Sequence, residues 1–114
     1  MTIGFYRYVS YPAEIAQLLR ERKVHSTNPG TGYATWYTPT RYDVLTTACA
    51  ELALPAPPTH RVGPIPATGM PAFDIQLRAV APAFGQPGGG VEARTRAPVW
   101  VFGVWDFHGN KWDL

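Results

Sequence analysis

The sequence predicts a small α+β domain, with mostly antiparallel strands and two helices. A length of 114 residues allows one compact domain, spanning 1–114, that buries roughly two-thirds of its unfolded surface. Two stretches, 12–22 and 40–52, carry apolar residues at helical spacing between start and stop signals. The remaining structured stretches are short, aromatic or β-branched and alternating, as in half-buried antiparallel strands.

Residues 3–9 read as the first strand. Phe5, Arg7 and Val9 share one face and Tyr6 and Tyr8 the other. An arginine on an apolar face calls for an anionic partner, and a guanidinium grips a phosphate in bidentate fashion. The alternative is an edge strand with Arg7 reaching water. The 12–22 helix starts at Pro12 and places Ile15, Leu18 and Leu19 inward. Arg20, Glu21, Arg22 and Lys23 close it, cations suiting the dipole's negative end. A polar loop at 25–32 follows.

Residues 33–38 form a strand with Thr35 and Tyr37 on one face and Trp36 and Thr38 on the other. Thr40 and Asp43 have capping-box spacing for a helix that runs to Leu52 and stops before Pro55. Cys49 falls on its apolar face with Leu45 and Leu52. After a stiff proline-rich link at 53–58, strands are expected at 61–65 and 72–80, with Pro64, Pro66 and Pro71 confining that region to sheet edges. Alternation puts Phe73, Ile75 and Leu77 inward and Asp74 and Arg78 on a solvated face. The last pair of strands is expected at 91–95 and 98–107, joined near Arg96 and Ala97. The run 99–102 is apolar on both faces, as in a central strand, and Gly103 suggests a bulge or close packing. A turn at 108–110 lets Trp112 fold back on the domain.

Composition excludes several classes. Ten basic against eight acidic side chains give +2 with no polybasic strip, so no extensive nucleic-acid surface is expected. One cysteine rules out an intrachain disulfide framework. The start of the chain lacks a signal-peptide pattern, and the longest apolar run, 99–105, is too short for a bilayer-spanning helix. The expectation is a cytoplasmic protein, or an effector secreted without a cleaved signal, and no membrane partner. Two serines without a nucleophile elbow argue against acyl transfer. Three scattered histidines and one helical cysteine offer no zinc set, so no metal is expected. No Lys-Ser/Thr pair follows the glycines, so there is no P-loop.

The most informative stretch is Phe84-Gly85-Gln86-Pro87-Gly88-Gly89-Gly90-Val91-Glu92. Glycines admit unusual backbone angles and close approach of a ligand to the main chain. A glycine-rich loop that ends on an acid suits a nucleotide-sized ligand. A flexible surface loop followed by a solvated Glu92 is equally compatible.

Residues 81–92 resemble the C-terminal signature of the tuberculosis-necrotizing-toxin family, NAD-cleaving domains with a fold related to ADP-ribosyltransferases. The close resemblance covers about 80–95; elsewhere only element order is similar. It implies a small ADP-ribosyltransferase-like fold with a split, mostly antiparallel sheet. It also implies NAD or NADP as substrate, with a toxin or effector role and an immunity or acceptor protein as partner. By the same resemblance Glu92 is the catalytic acid, where that family often has Gln, which leaves glycohydrolase and transferase both open. Arg7 would hold the dinucleotide with the amides of Gly88, Gly89 and Gly90. Tyr37 would stack on nicotinamide, Thr38 and Thr35 would shape the pocket, and Phe84 would wall it off. Gly90, two positions before Glu92, favours water or a non-arginine acceptor. A catalytically inactive ligand- or protein-binding module on the same fold is the alternative. A chain of 114 residues starting at Met1 favours it, since such toxin domains usually sit behind long delivery regions.

Overall fold

Alternating aromatic and aliphatic side chains make β1 (Gly4–Val9) the first strand, with Phe5 and Val9 buried in the core. A computed structural model describes residues 4–24, 35–66, 77–95, 99–101, 103–107 and 111–113. Helix α1 (Pro12–Glu21) starts on a proline, carries Glu14 in its first turn and Arg20 in its last. Its end is set by Arg22, whose φ of 58° lets its N–H close onto the Leu18 carbonyl. Leu18 is buried against the sheets. Strand β2 (Lys23–Val24) leads out of the helix, and β3 (Thr35–Tyr37) is the next described element.

Helix α2 (Leu45–Glu51) begins five residues after the expected cap at Thr40, and no side chain caps it. The intervening segment is held elsewhere. Tyr42 is buried; its N–H donates to the Tyr8 hydroxyl, and its carbonyl accepts from that hydroxyl and from Arg61 Nη1. Asp43 accepts from Arg41 and Arg61, so its carboxylate is unavailable to the helix. Cys49 is buried, as its helical position predicts.

The second half of the chain forms β4 (His60–Pro66), β5 (Arg78–Ala79), β6 (Val91–Thr95), β7 (Val99–Trp100), β8 (Gly103–Asp106) and β9 (Lys111–Asp113). The protein is therefore α+β, and every described strand pair is antiparallel. The sheets are β1-β4-β8-β9, β3-β6-β5 and the two-stranded β2-β7. Tyr6 and Thr38 exchange two backbone hydrogen bonds of 2.8 Å, which joins the first sheet to the second. The register of β1 on β4 shifts between Phe5 and Arg7, at the residue that makes this junction.

Three expectations about pairing are corrected. Strand β4 is internal along His60, Arg61 and Val62, which pair with both β1 and β8. Ile65 and Pro66 pair with β1 alone, so the edge expected there holds only for the proline-bearing end. Pro64 and Pro66 fall beyond the β8 pairing, where a missing N–H costs nothing. The strand expected at 98–107 is not continuous. It divides between β7, paired with β2, and β8, paired with β4, with Val99 and Val101 buried and Trp100 outside over Lys23. Finally, β6 pairs with β3 and β5, not with the stretch that follows it. The expected loop at 25–32, the start of the 33–38 strand, residues 72–76 with Asp74, the 96–97 link, the 108–110 turn and the Trp112 ring lie outside what is described.

One core cluster joins Phe5, Val9, Leu18, Tyr37, Ile65 and Val104 with their neighbours between α1 and the sheets. A second packs Tyr8, Tyr42 and Ala48 against Leu52, Leu54 and Phe107. The Cα radius of gyration is 13.1 Å, as for a well-packed chain of this length at roughly 13 Å. Among the described residues no helix is long and apolar enough to cross a membrane.

Candidate functional site

The junction of the two larger sheets opens a cleft of about 170 Å³. Strand β1 contributes Arg7, α1 contributes Glu14, β3 and the residue after it contribute Tyr37 and Thr38, and β6 contributes Glu92. Tyr6, Tyr8, Tyr11 and Trp36 give the walls aromatic character, and the proline-rich link at 54–58 closes one side. Four of the nine predicted site residues thus meet at one place although they span the chain from position 7 to position 92.

Arg7 is one-seventh exposed, and its Nε–H donates to Glu14 Oε1 at 2.7 Å. Its Nη1 donates to the Trp36 carbonyl at 3.2 Å, tying β1 and α1 to β3. The need for an anionic partner, read from the sequence, is met first by a carboxylate of the chain itself. Tyr37 is 2% exposed, and its hydroxyl finds no hydrogen-bond partner among the described residues. Burial pushes that hydroxyl well above the ordinary tyrosine range; Arg7 opposes the shift and Glu14 adds to it. Thr38 is buried and its Oγ1 accepts the Thr40 N–H at 3.1 Å, so its hydroxyl shapes the turn after β3.

Glu92 projects from β6 with its side chain 16% exposed, and its Oε1 accepts from Arg78 Nε at 2.9 Å. Arg78 also lies over the Trp36 ring, 4.6 Å from its centroid. Arg78 lies on a solvated face, as expected, with its side chain 54% exposed, and it also flanks the cleft through Glu92 and Trp36.

No family model matches this chain, and neither does any curated protein or solved structure. The site therefore stands on its geometry.

Phe84 does not wall the cleft. It is 69% exposed in a tight turn whose ends, Ala83 and Gln86, hydrogen-bond each other. Nor do the glycine amides face it. Gly88 N–H donates to the Ala50 carbonyl at 2.9 Å, Gly89 N–H to Val80 at 3.0 Å and Gly90 N–H to Glu51 at 3.0 Å. Gly88 and Gly90 thus donate to carbonyls at the C-terminal end of α2, where intrahelical donors run out. Thr35 pairs through its backbone with Thr95, and its expected role in shaping the pocket lies outside what is described. Glu14, Trp36 and Arg78 were missed as site residues. Glu14 had one legible signal, its place one helical turn into a helix that packs on the strand bearing Arg7.

The lining carries Arg7, Glu14 and Glu92 as its charged side chains. With Arg7 paired to Glu14 within the lining, the remaining lining charge is the Glu92 carboxylate, whose counter-charge, Arg78, stands outside the lining. Such a cavity favours a flat, positively charged group, which gains from both the carboxylate and the ring faces.

Proposed function

We propose that this cleft takes the nicotinamide end of NAD or NADP and that Glu92 promotes departure of nicotinamide. The observation that carries the reading is the placement of the Glu92 carboxylate in one small aromatic cleft with Arg7 and Tyr37. A cleft of about 170 Å³ is below the roughly 300–1,000 Å³ of sites that enclose drug-sized ligands. It suits the ring and ribose, with the diphosphate at its mouth near Arg7.

In this reaction the bond from the ribose anomeric carbon to the ring nitrogen breaks, and its electron pair neutralises the pyridinium. Nicotinamide leaves as a neutral molecule and needs no general acid. The ribosyl group becomes oxocarbenium-like, and the Glu92 carboxylate stabilises that charge or holds a ribose hydroxyl. Water or another acceptor then bonds to the anomeric carbon and loses a proton. The biological role that goes with the resemblance is a bacterial toxin or effector, answered by an immunity protein.

The test is nicotinamide release from NAD and NADP by the wild type and by Glu92→Ala. The variant is expected to lose about 100-fold or more in rate, as when one transition-state stabiliser is removed. Near-wild-type release would overturn the assignment. A second reading is a binding module without catalysis. It is favoured by the two ion pairs, Arg7 with Glu14 and Arg78 with Glu92, which give every charged cleft residue a counter-charge. Thermal stabilisation by NAD without nicotinamide release supports that module.

A further inference from the structure

Arg78 and Glu92 stand directly opposite each other in the register of β5 on β6. On the neighbouring strand, Trp36 faces Arg94, two residues beyond Glu92, so Trp36 and Glu92 rise from one face of the sheet. Both line the cleft, whereas Arg78 does not. The side chain of Arg78 is 54% exposed and still makes two directed contacts. Its Nε–H meets Glu92 Oε1 at 2.9 Å, and its guanidinium lies 4.6 Å from the Trp36 ring centroid.

An exposed ion pair of this kind adds little to stability, because water and salt screen it. Its consequence here is geometric. The indole face sets the guanidinium plane, and the guanidinium sets one carboxylate oxygen. No described residue hydrogen-bonds to the other oxygen, Oε2. A lysine ammonium has neither the flat face to lie on the indole nor a planar fork to orient the carboxylate.

We propose that Arg78 is a positioning residue for Glu92. It holds Oε1 on the flank so that Oε2 is presented in one orientation to the cleft. The proposal rests on the reading of Glu92 as the group that stabilises the ribosyl cation. Arg7 and the Tyr6, Tyr8 and Tyr11 walls have no contact with Arg78 and bind the rest of the ligand without it. Misplacement of Glu92 therefore acts on the transition state and leaves ground-state binding alone.

The experiment measures kcat and KM for nicotinamide release by wild type, Arg78→Gln, Arg78→Lys and Glu92→Gln, with a melting curve for each. Arg78→Gln is expected to lower kcat about 10- to 100-fold with KM within about twofold, and to melt near the wild type. Arg78→Lys keeps the charge without the planar fork and is expected to fall between the two. A wild-type kcat for Arg78→Gln overturns the proposal, as does a loss expressed in KM alone. If Arg78→Gln does not fold, Arg78→Lys decides: reduced kcat at unchanged KM supports the proposal, and wild-type kcat overturns it. A wild type no faster than Glu92→Gln is a different failure, visible before Arg78 is altered. It removes the catalytic reading of the cleft and this proposal with it.

Discussion

Arg7 Nε and Glu14 Oε1 are 2.7 Å apart, so the guanidinium that would meet a diphosphate already carries a carboxylate from α1. A phosphate at the cleft mouth and Glu14 compete for the same donors. Arg7→Ala is expected to raise KM for NAD about 10- to 100-fold, the worth of charge-assisted hydrogen bonds, with kcat little changed. Glu14→Gln should instead tighten NAD several-fold, and only while Arg7 is present. Calorimetric titration of both single variants and the double variant checks this. A Glu14→Gln variant that binds as poorly as Arg7→Ala would mean that Glu14 aligns the guanidinium for its ligand.

The glycine loop predicts a stability effect where its pattern suggested a ligand effect. Gly88 has φ 70°, and a Cβ there would sit 2.5 Å from the Val80 carbonyl oxygen, with the Ala81 backbone at 3.0 Å. Gly88→Ala is expected to cost about 2 kcal/mol or more, from backbone strain and loss of the Ala50 contact. Gly85 has φ 74° with nothing within 4 Å of the same atom, so Gly85→Ala should cost clearly less. Melting curves of ligand-free protein read the difference. An unchanged midpoint for Gly88→Ala, together with lost stabilisation by NAD, would return the loop to the ligand.

These cases show what was legible. The extent of α1 and β6, the burial of Cys49 and the need of Arg7 for an anion follow from local pattern, and local pattern sets them in the structure. The partners do not follow, because they come from distant parts of the chain. Glu14 reaches Arg7 only once α1 lies on β1, and Arg78 reaches Glu92 only through the β5–β6 register. Gly88 and Gly90 announce that something approaches the backbone closely, and what approaches is the Val80–Ala81 backbone at the first and the end of α2 at the second. The apolar run 99–107 misled for a related reason. Two short strands belonging to different sheets read, residue by residue, like one strand.

Tyr37 bears on the cleft from another side. Its hydroxyl is sealed from solvent and unpartnered among the described residues, which costs a folded protein about 1–3 kcal/mol. Tyr37→Phe removes that cost and keeps the ring. The variant should melt higher than the wild type without ligand and gain less from NAD if the hydroxyl meets the nicotinamide group. A lower midpoint without ligand would show that the hydroxyl has a structural partner.

The second core cluster predicts an alkaline limit to stability. Burial pushes the hydroxyls of Tyr8 and Tyr42 up to about 12, from an ordinary value of 10.0. For Tyr8 the Tyr42 backbone and Arg61 pull the other way; for Tyr42 the Glu51 carboxylate adds to the rise. Below pH 10 both hydroxyls keep their protons in the folded and unfolded chain alike, and the cluster contributes in full. Between pH 10 and pH 12 the unfolded chain releases these protons while the folded one retains them. Stability therefore falls through that window and levels off above it. Tyr8→Phe leaves the Tyr42 N–H without its acceptor and is expected to cost about 1–3 kcal/mol at neutral pH. It should also make the alkaline decline shallower, since one of the two titrating groups is gone. Urea midpoints for wild type and Tyr8→Phe across the window test both parts. Parallel declines would mean that the Tyr8 hydroxyl titrates alike in the folded and unfolded chain.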